Sequence, residues 1–120
     1  MTNLAEIFKL LSDETRLRIT MALSYEELCV CELCGVLELS QPKISKHLAK
    51  LRDKGFVVDE RKEQYMFYSL DLEDIVLKNL IEGIKENIAD YPQLKLDRDR
   101  LKEKELYLNK CNVEDIKKLS

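Results

Sequence analysis

The chain has 120 residues, 45% of them hydrophobic, which is enough for one small domain with a core. Its net charge of −3 excludes a uniform polycation, but residues 40–54 hold five bases and one acid, which gives +4 there and −7 elsewhere (−3 − 4). No apolar run approaches the roughly 20 residues that cross a bilayer. Residues 1–11 lack the basic start and the cleavage site of a signal peptide, so we expect a cytoplasmic protein with reduced thiols.

Three helices are predicted in the first third of the chain. Apolar residues recur at helical spacing between residues 4 and 11. Ser12 is expected to cap a second helix, which has acids in its first turn and extends to about Ser24. A third, short helix is predicted from Val30 to Leu37.

A fourth helix follows after a short turn and is basic on one side. Ser40 is a good N-cap, and Pro42 lies near the helix start, where its missing N–H costs nothing. Gly55 is placed to end the helix in a left-handed conformation. An apolar stripe at i, i+4 and i+7 is expected to face the core; it consists of Ile44, Leu48 and Leu51.

A β-hairpin and a long helix are predicted next. Residues 56–58 and 66–68 are strand-like, and the polar run 60–64 joins them. Asp71 is expected to cap a helix that extends through about Ala89. A Tyr-Pro pair at 91–92 ends that helix.

The basic helix is the candidate DNA reader. In a helix-turn-helix the second helix enters the major groove with its early residues at the base edges. Glutamine suits adenine, lysine suits guanine, and serine or histidine serves bases or phosphates. The candidates on the helix are Ser40, Gln41, Lys43, Ser45, Lys46, His47 and Lys50. At the hairpin tip, Arg61, Lys62, Gln64 and Tyr65 are candidates for phosphate or minor-groove contacts.

Two plainer interpretations stand beside this one. A lysine-bearing helix face is often only solvated, although here the preceding turn and the following hairpin agree with a DNA-binding motif. His47 is the single histidine and lies near the border of the apolar stripe. We therefore expect it to pack or to contact phosphate rather than to bind metal, because no second histidine could share the ion.

Three cysteines lie just before the basic helix, at positions 29, 31 and 34. Three sulfurs without histidine suit a soft trigonal ion such as As(III) or Sb(III), whereas tetrahedral Zn(II) would need a fourth ligand. Cys31 and Cys34 share a helix face, but Cys29 would lie about 200° from Cys31 in a continuous helix. The three sulfurs converge only if the first helical turn is absent or unwinds. We hypothesise that ligand binding distorts this turn and displaces the basic helix.

Other roles for the thiols stay open. They could be small buried apolar residues, or the Cys31/Cys34 pair could do redox chemistry, although a thioredoxin-like βαβ context is missing. They could also hold structural zinc. Cys111 is isolated and is not expected to be a ligand, but it could complete a zinc or disulfide site. No catalytic constellation is present, so no enzyme is predicted.

The order of elements, α-α-α-α-β-β-α, predicts a mainly α protein with a small β-hairpin, which is a winged helix-turn-helix. We expect residues 1–91 to form the DNA-binding and dimerisation domain, because a chain this short gains burial by dimerising. Residues 92–120 are predicted to be a charged, helical extension in which Asn112 can cap a last short helix.

These residues resemble the ArsR/SmtB metalloregulatory repressors over roughly residues 3–90. Residues 27–34, E-L-C-V-C-E-L-C, are similar to the arsenic-site pattern E-L-C-V-C-D-L-C, with Glu32 where Asp is usual. Residues 39–52, L-S-Q-P-K-I-S-K-H-L-A-K-L-R, look like the family's recognition helix, as do residues 55–57. The cadmium/lead site of relatives needs a cysteine before Cys29, and their zinc site needs histidine on the last core helix. Neither is present here.

The resemblance implies a homodimer that represses an arsenic-resistance operon. Operator DNA would be released when As(III) or Sb(III), acting as an inducer and not as a permanent cofactor, binds Cys29, Cys31 and Cys34. The first helix and the helix at 72–89 would form the dimer interface. Two recognition helices would then lie about one DNA turn apart on a near-palindromic site.

Overall fold

The computed structural model describes residues 2–107. Its elements in chain order are α1 (Thr2–Leu11), α2 (Glu14–Tyr25), β1 (Leu28–Cys29), α3 (Val30–Leu37), α4 (Gln41–Asp53), β2 (Val57–Lys62), β3 (Tyr65–Leu70), α5 (Ile75–Glu86), a 3₁₀ turn (Ile88–Asp90), α6 (Pro92–Arg100) and a second 3₁₀ helix (Leu101–Tyr107). None of the helices in this range is both long and apolar enough to span a membrane.

The fold is mainly helical with a small sheet, which confirms the predicted winged helix-turn-helix. The sheet has three antiparallel strands in the order β1-β3-β2. The hairpin strands are longer than predicted, because the polar residues 60–62 continue β2 and the turn is confined to residues 63–64. The two-residue strand β1 was not predicted. It pairs with the middle of β3, Cys29 opposite Phe67.

Two predicted helix caps are wrong by one to three residues. The side chain of Asp13, and not of Ser12, caps α2 by accepting a hydrogen bond from the Arg16 N–H at 3.0 Å. Similarly, Asp74 rather than Asp71 caps α5, and its carboxylate accepts from two backbone N–H groups. Helix α5 is shorter than predicted at both ends, since it begins at Ile75 and ends at Glu86.

The prediction for α3 is confirmed at both ends, and α4 is confirmed with its inward stripe. Ile44, Leu48 and Leu51 are buried in the core that all the helices share. Gly55 has a φ of +82°, the left-handed conformation that favours glycine. Ser40 is the N-cap residue of α4, although its side chain makes no capping hydrogen bond.

The chain after the first 3₁₀ turn (Ile88–Asp90) folds back onto α2 and α3. We call Pro92–Tyr107 the C-terminal segment; it consists of α6 and the 3₁₀ helix that follows. Leu94, Leu101 and Tyr107 are buried in the same core cluster as the helix-turn-helix. The predicted cap at Asn112 and the prediction for Cys111 lie outside the described residues.

Candidate functional site

The outer face of α4 is strongly positive. Lys43, Lys46 and Lys50 are exposed, and none of them is in an ion pair within residues 2–107. Arg52 differs, because it pairs with Asp59 of β2 at 3.3 Å and so ties the end of α4 to the hairpin. Three lysines are therefore available to a polyanion.

The polar residues near the start of α4 lie on the same side. Ser40 is exposed, and Gln41 and Ser45 are partly exposed. The Gln41 amide nitrogen donates to the Ser45 hydroxyl at 2.7 Å, one turn later. This hydrogen bond holds the glutamine side chain along the helix and would have to be exchanged for a contact to a base edge.

The hairpin tip presents a second group of candidates. Arg61, Lys62 and Gln64 are exposed around a turn in which Glu63 has a φ of +59°. Lys62 forms an ion pair with Glu27, so the structure already gives this lysine a partner. The Gln64 amide donates to the Tyr65 hydroxyl at 3.0 Å. Arg61 is the exposed cation at this tip with no ion pair among the described residues.

His47 is half-buried on the inner edge of α4. Its Nδ1 is buried and has no hydrogen-bond partner in the described part of the chain. Burial lowers the pKa of His47, and the nearby Asp13 carboxylate opposes that effect. The lowered pKa favours the neutral imidazole, which lies near Asp13 and Arg16 at the start of α2.

The three cysteines lie where β1 passes into α3. Cys29 is the N-cap residue, and Cys31 and Cys34 are inside the helix. Each is at most 1% exposed. Among residues 2–107, no three cysteine, histidine or carboxylate side chains are grouped closely enough to hold a metal ion. The first turn of α3 is intact and begins directly after Cys29, whose backbone is extended.

A buried carboxylate holds this first turn closed. The backbone N–H of Cys29 donates to Glu32 Oε1 at 3.0 Å, which is half of a capping box. Glu32 is only 2% exposed. In the comparison with the arsenic-site pattern, Glu32 was noted only as a residue that stands where Asp is usual. The signal for its role is a Glu three residues after the N-cap position, which occurs at Cys29-x-x-Glu32.

The sulfurs differ in chemical state. Cys29 and Cys34 have free thiols, whereas Cys31 is disulfide-bonded, unlike the reduced state expected from the sequence. Burial raises the pKa of Cys29, and it raises the pKa of Cys34 to about 11. The raised pKa values favour the protonated thiol over the thiolate, which is the nucleophile and the metal ligand.

The thiol element and the basic helix are joined by a very short connection. Helix α3 ends at Leu37, Glu38 adopts the left-handed conformation with φ 56° and ψ 45°, and α4 begins at Gln41. The Glu38 N–H donates to the Cys34 carbonyl, and the Leu39 N–H does so at 3.3 Å. Two residues beyond the end of α3 are therefore hydrogen-bonded to the carbonyl of one of the cysteines, directly before α4 begins.

Comparison with known proteins assigns this arrangement to a family. The family model described as "Bacterial regulatory protein, arsR family" matches residues 13–58, which extend from the cap of α2 into β2. The chain is 49% identical over 86 residues to the arsenic resistance transcriptional regulator ArsR1 of Pseudomonas putida, covering 67% of each chain. The chain belongs to the arsR family. Members of this family are DNA-binding regulators and not enzymes, which agrees with the prediction from the sequence.

Two further similarities support the assignment. The arsenical resistance operon repressor of Escherichia coli is 52% identical over 66 residues, which are 54% of this chain and 56% of the relative. The crystal structure of the AntR antimony-specific transcriptional repressor superposes with a TM-score of 0.64 at 25% identity, over 77% of this chain and 82% of that one. This chain thus spans between about half and two thirds of the length of the two regulators compared by sequence.

Proposed function

We propose that this protein is a homodimeric repressor of an arsenic-resistance operon that releases its operator when As(III) or Sb(III) binds Cys29, Cys31 and Cys34. The observation that carries the proposal is the direct connection between α3, which holds two of the thiols, and α4, which holds the exposed lysines. The names of the relatives, an arsenic resistance regulator and an arsenical resistance operon repressor, support the ligand and the regulated genes. So does the antimony-specific repressor among the structural neighbours.

Several features of the surface support DNA binding by a dimer. Phosphates or bases would be contacted by the exposed lysines of α4, Lys43, Lys46 and Lys50. The other contacts of α4 would be Ser40, Gln41, Ser45 and His47. The DNA backbone would be approached from the hairpin by Arg61, Lys62, Gln64 and Tyr65. Large apolar side chains are exposed on α1 (Leu4, Phe8), just before α5 (Leu72) and at the start of α5 (Ile75, Val76). Burying such a surface between two copies removes apolar area from water and aligns two recognition helices.

The ligand response follows from the closed first turn of α3. Three thiolates suit a soft trigonal ion, which supplies the free energy to hold them together. Cys29 lies in β1, and Cys31 and Cys34 lie on the helix, so convergence requires the Glu32 hydrogen bond to break and the first turn to open. Opening shifts the end of α3 and the left-handed turn at Glu38. The early residues of α4 then no longer match the groove, which couples the two sites.

The test is operator binding measured by fluorescence anisotropy on fully reduced protein at fixed salt. Salt is fixed because phosphate contacts make the affinity strongly salt-dependent. We expect As(III) to weaken operator binding by wild type at least tenfold, within the usual range of coupling between two sites. Cys31→Ser/Cys34→Ser should bind the operator as wild type does and lose the response. Equal affinity of the wild type with and without As(III) would falsify the proposal.

The state of Cys31 favours a second candidate, direct thiol-redox control of DNA binding. Formation of its disulfide removes two protons and two electrons from two thiols, and an azodicarboxamide such as diamide can accept both. A sulfur in a disulfide is not available to As(III), so oxidation and As(III) binding would exclude each other at Cys31. Reduction would restore the As(III) response.

Oxidation by diamide without As(III) tests this second candidate. We expect oxidised wild type to differ from reduced wild type at least threefold in operator affinity and to be insensitive to As(III). Cys31→Ser should show no diamide effect, and Cys34→Ser should retain it, because Cys34 is a free thiol. The Cys111→Ser variant reports whether Cys111 takes part. If diamide leaves wild-type affinity unchanged, the disulfide has no regulatory role in DNA binding.

A further inference from the structure

The C-terminal segment packs against the helix that holds the thiols. The Tyr107 ring lies directly on Gly35 of α3, so that a Cβ atom at Gly35 would be only 2.0 Å from Tyr107 Cγ. The Arg100 guanidinium donates to the Gly35 carbonyl at 2.9 Å. Glycine at 35 therefore permits a close approach that any larger residue would prevent.

The same segment contacts both sides of the cysteine stretch. Before it, Lys104 forms an ion pair with Glu26, which is partly buried. After it, Arg100 pairs with Glu38, the left-handed residue between α3 and α4. The C-terminal segment thus contacts residues 26–38, which include all three cysteines, at both ends and at Gly35.

A second set of contacts anchors the segment to the core. Arg18 of α2 makes two hydrogen bonds to the Asp97 carboxylate, each 2.9 Å long. The same guanidinium donates to the Leu37 carbonyl at the end of α3 at 2.7 Å. The anchor therefore joins α2, the end of α3 and the C-terminal segment.

We propose that the C-terminal segment is a positioning element that holds α3 closed and sets the As(III) concentration at which the operator is released. The inference rests on the proposed function. Opening the first turn requires α3 to move relative to Glu26 and Glu38. Contacts that the segment makes only when the first turn of α3 is closed raise the free energy that is needed to open this turn. Because As(III) binding must supply that free energy, the contacts lower the observed affinity for As(III).

The test removes contacts between the C-terminal segment and α3 by changing residues of the segment, in the full-length reduced protein. Tyr107→Ala removes the ring on Gly35, and Arg100→Ala removes its contacts to Gly35 and Glu38. The matched controls are Leu106→Ala, whose side chain is 62% exposed, and Arg98→Ala, whose ion pair with Asp99 is local. Two readouts are used: the As(III) concentration for half-release of the operator, and hydrogen exchange of the α3 amides relative to those of α5.

In Tyr107→Ala and Arg100→Ala we expect half-release at an As(III) concentration at least threefold lower than in the controls, and faster exchange confined to α3. Arg100→Ala keeps the test decisive if Tyr107→Ala fails to fold. Half-release concentrations and exchange rates equal to those of the controls would overturn the inference. If As(III) does not release even wild type, the proposed function is wrong, and the exchange rates alone decide whether the segment holds α3.

Discussion

Reversing the charge of two lysines on α4, Lys43→Glu/Lys46→Glu, is expected to weaken operator binding by at least about 30-fold. Both side chains are exposed near the start of the helix, where a recognition helix meets base edges and phosphates. A good contact to a base is worth about 1–3 kcal/mol, and two lost contacts cost at least about 2 kcal/mol. Repulsion from the phosphates adds to this loss.

The control for this variant has the same net charge. Lys95→Glu/Lys102→Glu changes two exposed lysines, on α6 and on the 3₁₀ helix after it, away from both the proposed groove and the proposed dimer interface. Anisotropy titrations over a range of salt concentrations should show an unchanged affinity for the control and a shallower salt dependence for Lys43→Glu/Lys46→Glu. The free energy of unfolding of both variants should lie within about 0.5 kcal/mol of the wild-type value, as is usual for exposed substitutions. An equal loss of affinity in both would mean that net charge, and not α4, attracts the operator.

Local patterns in the sequence were sufficient to predict the helices next to the candidate site, α3 and α4. Helix α3 is bounded by an extended residue and a left-handed one, and α4 has an apolar stripe at 44, 48 and 51 that is fully buried. These signals depend on neighbouring residues three or four positions apart, so they can be read without a fold. The cysteine spacing also suggested that the three thiols do not converge in a continuous helix, but Cys29 lies before α3 with an extended backbone, so that geometric argument does not apply to it.

The errors arose where the choice depended on distant parts of the chain. Asp13 and Ser12 are both good caps, as are Asp74 and Asp71, and packing of the helices against the core decides between them. Strand β1 has two residues and exists only because β3 offers it a partner 38 positions later (Cys29 with Phe67). No periodicity reveals such a strand.

The C-terminal segment is the clearest case of information that the sequence pattern lacks. Its leucines are sparse, and the sequence offered only a charged helix there. Its position is fixed by an ion pair between Arg18 and Asp97, which are 79 residues apart, and by a ring placed on a glycine. The state of Cys31 was likewise not predictable from cysteine spacing, since a disulfide depends on which sulfurs the fold brings together.

Removing the carboxylate of this ion pair, in Asp97→Ala, should destabilise the protein by about 3–5 kcal/mol, because it leaves a buried guanidinium without its counter-charge. The side chains of Arg18 and Asp97 are 12% and 4% exposed, and the Asp97 hydrogen bonds raise the pKa of Arg18. Gln93 also donates to Asp97 at 2.9 Å and would lose its partner. Urea unfolding at a fixed protein concentration measures the change, since the stability of the proposed dimer would depend on concentration.

Two further variants test whether the loss of stability in Asp97→Ala comes from the buried, unpaired charge. Asp99→Ala removes the acid of an exposed pair with Arg98, and we expect a cost of at most about 1 kcal/mol. Arg18→Met/Asp97→Leu replaces the buried pair by apolar side chains and should regain most of the stability lost in Asp97→Ala, because no uncompensated charge remains. If Asp97→Ala costs no more than Asp99→Ala, the guanidinium is solvated in the folded protein. The C-terminal segment would then not be docked on α2 and α3 in solution, and it could not hold α3 closed.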